Sequence, residues 1–238
     1  MTETLDSIAL RFGTDKSSKH HGYTSIYDKH FNHLRGTSVR VLELGIYKGA
    51  SLNMWAEYFG PESKVYGVDR DLRLSRKMEF LPNIVRYSLD ISDKPALLRF
   101  AVEYGPFDVV VDDCGHINHQ MTECFNTLFP LLSPGGVYVV EDLHACYWDY
   151  AGDGCKEKQT TPLFTETIKD LTDSCIGRGK FAGTGEWGDK SRRPNPNKRG
   201  GLALGGSFGS PTTWHEENLE SMHTYKSMCF FYKQGVSL

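Results

Sequence analysis

The residues best suited to chemistry fall in two short runs, Asp112-Asp113-Cys114-Gly115-His116 and Glu141-Asp142. Each follows an apolar, β-branched stretch (FDVVVDD, VYVVED) that reads as a buried parallel strand. Strand ends that lie side by side bring such groups within a few ångströms of one another, where several carboxylates repel unless a cation or protons intervene. Oxygen-only ligands suit Mg²⁺, or Mn²⁺, with waters or substrate oxygens completing an octahedron. His116 is not needed by a hard cation and is free to take a proton. Helix N-caps with a histidine packed over the sheet would explain one carboxylate, but they explain a cluster with a histidine poorly. His119, His144 and Asn118 are further candidates.

A second constellation is Glu43-Leu-Gly45-Ile-Tyr-Lys-Gly49. Glycines after a strand let the backbone approach a ligand closely and let the next helix start tightly. The spacing is GxxxG after an acid, and the GxGxxG fingerprint of pyrophosphate binding is absent. That pattern suits S-adenosylmethionine, in which no phosphate needs cradling. Asp69, closing the next strand, can accept both hydroxyls of a ribose, and Asp90, after the third, can reach the adenine edge. Capping or solvent exposure is the competing reading for both. Ser51, opening the helix after the loop, and Asp112 are counted with the cofactor site. Residues 14–27 are expected to fold over the cofactor, with Lys16 pairing with its carboxylate and Tyr23 or Tyr27 lining the methionine pocket.

The elements that must position these groups alternate strand and helix. VRVLELG (39–45), KVYGVD (64–69), a strand within NIVRYSLD (83–90), FDVVVDD (107–113) and VYVVED (137–142) read as strands. SLNMWAEYF (51–59), DKPALLRFAVEYG (93–105) and HINHQMTECFNTLFPLL (116–132) read as helices, with SPGG (133–136) as a turn. The expected class is α/β, a parallel sheet covered on both faces. Residues 1–38 read as an N-terminal cap, 39–150 as the cofactor- and metal-binding core, and 222–234 as a final strand, all within one domain over 1–238. A helix is expected around 162–175. Tyr47, Trp55, Tyr58 and Phe59 read as core or pocket wall, and Cys114 as no nucleophile.

Composition narrows the classes. The 238 residues carry 27 Lys+Arg against 30 Asp+Glu, a net charge of −3, which argues against a dedicated nucleic-acid binder. No apolar run approaches the roughly 18–20 residues needed to cross a bilayer, and the start MTETLDSIALRF lacks the secretory pattern, so a cytoplasmic protein without a membrane partner is expected. The six cysteines form no CxxC pair and read as reduced thiols. Ten of the 24 glycines fall between Gly177 and Gly209, around the basic SRRPNPNKR, so residues 177–210 read as a flexible lid or insertion that closes over the acceptor. A solvated loop is the blander reading of those basic residues.

VLELGIYKGASLNMW, VYGVD, FDVVVDDCGHINH and LLSPGGVYVVEDLH, with RFGTDK near the start, resemble the class I S-adenosylmethionine-dependent sugar O-methyltransferases of natural-product biosynthesis, the macrocin and mycinamicin group in particular. The similarity covers roughly residues 10–150, and HTYKSMCFFYKQ is compatible with the last strand of that fold. The resemblance implies a Rossmann-like seven-stranded methyltransferase sheet, S-adenosylmethionine as donor and Mg²⁺. It places the metal ligands at Asp113, Glu141 and Asp142 and the catalytic base at His116. It also implies a small-molecule glycosylated or diol acceptor, and it is compatible with a homo-oligomer. The usual Gly-Ser between aspartate and histidine is Cys114-Gly115 here, a change in the loop that carries the base.

On this reading the metal chelates neighbouring hydroxyls of the acceptor, and His116 removes a proton as the methyl moves. A Mg²⁺-dependent catechol or phenol O-methyltransferase is the alternative enzyme. A nicotinamide oxidoreductase is disfavoured by the absent GxGxxG. A non-catalytic S-adenosylmethionine-binding protein would have no use for so costly an acidic cluster.

Overall fold

The computed structural model describes residues 3–148, 162–177 and 214–235. Two helices open the chain, α1 (Leu5–Phe12) and α2 (Thr24–Phe31), followed by β1 (Arg40–Leu44), α3 (Ala50–Phe59), β2 (Lys64–Asp69) and β3 (Ile84–Ser88). Next come α4 (Lys94–Tyr104), β4 (Phe107–Asp112), α5 (Asn118–Leu128) and β5 (Leu132–Val140). The last described elements are α6 (Phe164–Gly177), α7 (Trp214–Asn218), β6 (Leu219–Tyr225) and β7 (Met228–Lys233). One seven-stranded sheet results, in the order β3-β2-β1-β4-β5-β7-β6. The first five strands pair in parallel, while β7 runs antiparallel to both β5 and β6. This is the seven-stranded sheet that the resemblance implies.

Strand alternation sorts the core onto two faces. Leu42 and Leu44 of β1 and Val110 of β4 join Leu97, Phe100, Phe125 and Leu128 from α4 and α5. Val41, Val109 and Val111 point the other way, to Ile8, Tyr27, Phe31 and Trp55 from α1, α2 and α3. The N-terminal helices therefore form part of one covering layer. Local signals set the helix ends. Thr4 caps α1, whose last turn closes on left-handed Gly13, and Asp93 caps α4 by accepting from the Ala96 N–H.

Two elements differ from expectation. The C-terminal segment is a hairpin of two strands, because Tyr225-Lys226-Ser227-Met228 turns tightly with Ser227 at φ 65°. That turn contains no Gly, Pro or Asn to announce it. Ser133–Gly136 lies inside β5, whose pairing with β4 is irregular between Phe107 and Val109. The glycine-rich 177–210 stretch lies outside the described residues except for Gly177.

The strand order reverses between β1 and β4, the point at which open α/β sheets bind ligands beyond the strand carboxyl ends. Gly45 makes the crossing possible: it sits at φ 92°, and a Cβ there would lie 2.2 Å from the carbonyl oxygen of Asp113. Gly45→Ala combines left-handed strain with a backbone clash. It should cost about 3 kcal/mol or more, read as a lowered urea midpoint at unchanged slope.

Candidate active site

A cleft of about 760 Å³ opens at this switch point, lined by the Gly45–Gly49 loop, Ser51, Asp69, Asp90 and the Asp113–Gly115 turn. Asp69 organises the loop: its Oδ2 accepts the backbone N–H groups of Ile46 (2.9 Å) and Tyr47 (3.1 Å), and its Oδ1 that of Asp71 (2.9 Å). A carboxylate has about four acceptor positions, so capacity remains for hydroxyls in the cleft. Asp90 accepts the Ser92 N–H in a tight turn and also faces the cleft, so the capping and ligand-facing readings hold together. Tyr47, at φ 47°, is exposed at the cleft wall, whereas Trp55, Tyr58 and Phe59 are buried core.

Four residues expected at the cofactor do not line the cleft. Glu43 alternates with Leu42 and Leu44 and so points beneath the loop, where it accepts from Ser51 Oγ (2.8 Å) and Trp55 Nε1 (3.3 Å). Burial, opposed by Lys16, pushes its carboxyl up to about 7. Asp112 points into the opposite core and accepts from the Tyr138 hydroxyl (2.8 Å) and Cys114 Sγ (3.1 Å). Burial pushes it up to about 6, against those hydrogen bonds. Lys16 and Tyr23 turn toward the acidic cluster at the strand ends.

That cluster is assembled from β4, β5 and the N-terminal segment. Lys16, only 1% exposed, places Nζ 2.8 Å from Glu141 Oε2 and 3.5 Å from Glu43 Oε1, and it also pairs closely with Asp113 Oδ2. Burial disfavours its ammonium, but the carboxylates of Asp113, Glu141 and Glu43 prevail and hold its pKa well above the usual lysine value. Burial drives Glu141 above the usual carboxylate range despite Lys16. The Tyr27 hydroxyl donates to Glu141 Oε1, and the Tyr23 hydroxyl donates to Asp142 Oδ1 at 2.6 Å.

On their other oxygens, Asp142 Oδ2 lies 3.5 Å and Asp113 Oδ1 3.9 Å from His116 Nε2. Asp113, His116 and Asp142 each offer a ligand atom, all within 4.8 Å of one another, a grouping that could hold a metal ion. Both His116 (φ 50°) and Asp142 (φ 52°) occupy the left-handed region, which is uncommon for residues other than glycine and concentrates at functional sites. Glu141, the third expected ligand, stands outside this group because Lys16 and Tyr27 hold its two oxygens.

The second-line candidates have other partners. His144 Nδ1 pairs with Ser227 Oγ in the hairpin turn and is 4.0 Å from Asp142 Oδ1. Asn118 binds the Cys146 carbonyl and the Phe164 N–H, tying α5 to α6, and His119 is exposed. Sequence reasoning did not place Lys16, Tyr23 and Tyr27 at the carboxylates. Lys16 is 97 positions from Asp113 and 125 from Glu141, and no local spacing signals contacts at such range.

Fold and strand-end site together define a class I methyltransferase. A family model described as a methyltransferase domain matches residues 42–143. The L-olivosyl-oleandolide 3-O-methyltransferase of Streptomyces antibioticus is 38% identical over 182 residues, 73% of this chain and 46% of its own. A Streptomyces olivaceus enzyme, the 8-demethyl-8-alpha-L-rhamnosyl tetracenomycin-C 2'-O-methyltransferase, is 42% identical over 180 residues, 73% of this chain and 43% of its own. Among solved structures, the MycE methyltransferase from the mycinamycin biosynthetic pathway, in complex with Mg, SAH and mycinamycin VI, superposes with a TM-score of 0.73 at 29% identity. That match covers 98% of this chain and 55% of that one. The chain therefore belongs to this family of macrolide and tetracenomycin sugar O-methyltransferases, and it spans under half the length of these curated relatives.

The buried Glu43 yields a pH prediction. Its raised pKa means the folded state favours the protonated form, so its contribution to stability is complete below the ordinary carboxyl value of 4.5 and is lost as pH rises through about 7. In metal-free protein, Glu43→Gln should therefore flatten the fall in melting temperature across that interval, as measured by scanning calorimetry at a series of pH values.

Proposed function

We propose that the protein transfers a methyl group from S-adenosylmethionine to a hydroxyl of a sugar carried by a glycosylated polyketide, with a divalent cation, Mg²⁺ or Mn²⁺, at the strand-end cluster. The observation that carries this reading is the triad of Asp113, His116 and Asp142, of which Asp113 also lines the glycine-loop cleft. The relatives' names, which specify methylation of olivosyl and rhamnosyl groups, support the choice of acceptor. The donor set fits a hard cation: two carboxylates each turn one oxygen toward His116. Glu141 would complete the set by turning toward them, since each of its oxygens keeps a second lone pair beyond the bond to Lys16 or Tyr27.

When bound, S-adenosylmethionine supplies an electrophilic methyl, and the cation lowers the pKa of a coordinated hydroxyl, which is otherwise a poor nucleophile at neutral pH. The chain's own residues then have separable tasks. The Gly45–Gly49 loop, Ser51, Asp69 and Asp90 bind and orient the cofactor, with Asp69 offering its free lone pairs to the ribose. Asp113 and Asp142 would place the acceptor hydroxyl next to His116, whose Nε2 takes the proton as the C–O bond forms and the S–CH₃ bond breaks, the sulfur leaving as the neutral thioether.

The test is mass spectrometry of a panel of glycosylated polyketides, nucleotide sugars and catechols incubated with S-adenosylmethionine and Mg²⁺. A mass gain of one CH₂ on the glycosylated polyketides is expected; product on catechols alone would overturn the sugar assignment. On the accepted substrate, His116→Ala should lower turnover by about 10²–10⁴, the usual worth of a general base, while calorimetry shows unchanged cofactor affinity. Near-full turnover by that variant would remove His116 from the base role.

A further inference from the structure

The carboxylates at the strand ends divide their oxygens between two sides. Asp113 Oδ2 pairs with Lys16, while Oδ1 faces His116 at 3.9 Å. Asp142 Oδ1 accepts from Tyr23 at 2.6 Å, while Oδ2 faces His116 at 3.5 Å. Glu141, one residue before, is held by Lys16 and Tyr27 on its two oxygens. All three partners come from Lys16–Tyr27, and none belongs to the strands or helices that carry the carboxylates. Lys16 is 1% exposed, Tyr23 4% and Tyr27 0%, so the contacts are built into the packed layer.

We propose that Lys16 and Tyr23 are positioning residues for the cation: they lock the outer oxygens of Asp113 and Asp142 and leave the inner pair aimed at a common point beside His116. The proposal rests on the cation reading given under Proposed function and assigns the N-terminal segment a role there in place of one at the cofactor carboxylate. A carboxylate free to rotate about its Cβ–Cγ bond presents ligand oxygens in many orientations. Hydrogen bonds to the non-ligating oxygen remove that freedom before the ion arrives, and outer partners of this kind typically change metal affinity by about 10–100-fold. The ammonium has a second task. It is the one side chain among the described residues seen to pair with all three of Asp113, Glu141 and Glu43, so it offsets their mutual repulsion when no ion is bound. Linkage is reciprocal: if a docked segment favours the ion, the ion must favour the docked segment to the same extent.

Tyr23→Phe removes one hydroxyl and keeps the packed ring, so it isolates the contact to Asp142; Lys16→Met tests the larger one. Titration calorimetry with Mg²⁺ on the intact protein should show about 10-fold weaker binding for Tyr23→Phe, and weaker binding for Lys16→Met despite the removal of a positive charge beside the ligands. S-adenosylmethionine affinity should stay unchanged in Tyr23→Phe. In wild type, added Mg²⁺ should slow amide hydrogen exchange across residues 14–27. If Lys16→Met does not fold, Tyr23→Phe and the exchange measurement decide alone. Wild-type binding of Mg²⁺ with equal or tighter binding by Tyr23→Phe, or with exchange in 14–27 unaffected, overturns this inference and leaves the proposed function standing. A wild type that binds no divalent cation overturns both.

Discussion

Everything at the working end of this protein depends on one electrostatic constraint: the parallel sheet delivers several carboxylates to one place. β4 ends at Asp112 and is followed by Asp113, and β5 is followed by Glu141 and Asp142. The Glu141 N–H bonds to the Asp112 carbonyl, so backbone pairing itself brings the two acidic runs into register. Charges taken out of water in this way are costly unless paired and hydrogen-bonded. The fold meets that cost in three ways: Glu43 and Asp112 shift toward their neutral forms, a buried lysine is inserted, and tyrosine hydroxyls are donated to the carboxylates that remain.

The constraint also explains the division of the molecule. Glycine is needed where the β1 loop passes against the Asp113 carbonyl, because no side chain fits between the two backbones. The loop so placed forms one wall of the cleft, and Asp69 fixes it through two backbone N–H groups. The turn after β4 bears Asp113 and His116 and joins the cleft to the acidic cluster. In the proposed function, one crossover in strand order would bring a cofactor in the cleft and an ion at the cluster to adjoining places.

Much of this was legible in the sequence because the signals are local. Apolar β-branched runs ending in acid or glycine mark β1, β2, β4 and β5, and the strand-end rule points at once to Gly45, Asp69, Asp113 and Asp142. Facing was harder. Asp112 is one residue before the cleft-lining Asp113 and Glu43 two before Gly45, yet both side chains are buried in the core. The hairpin of β6 and β7 was hidden because its turn, Lys226-Ser227, has no Gly, Pro or Asn. Lys16 was visible as a candidate, but its partner was not: in a linear reading a lysine near the start is equally able to meet a cofactor carboxylate or a side chain more than ninety positions on. Only the packing of α1 and α2 against the sheet decides between them.

In the proposed function, the paired acidic runs form a cation site on which methyl transfer to a sugar hydroxyl depends. The most direct measurement is product formation from S-adenosylmethionine and a deoxysugar-bearing polyketide after treatment with EDTA and again after Mg²⁺ is restored. Methylated product should disappear with the chelator and return with the ion. Methylation that proceeds equally well in EDTA would contradict that dependence.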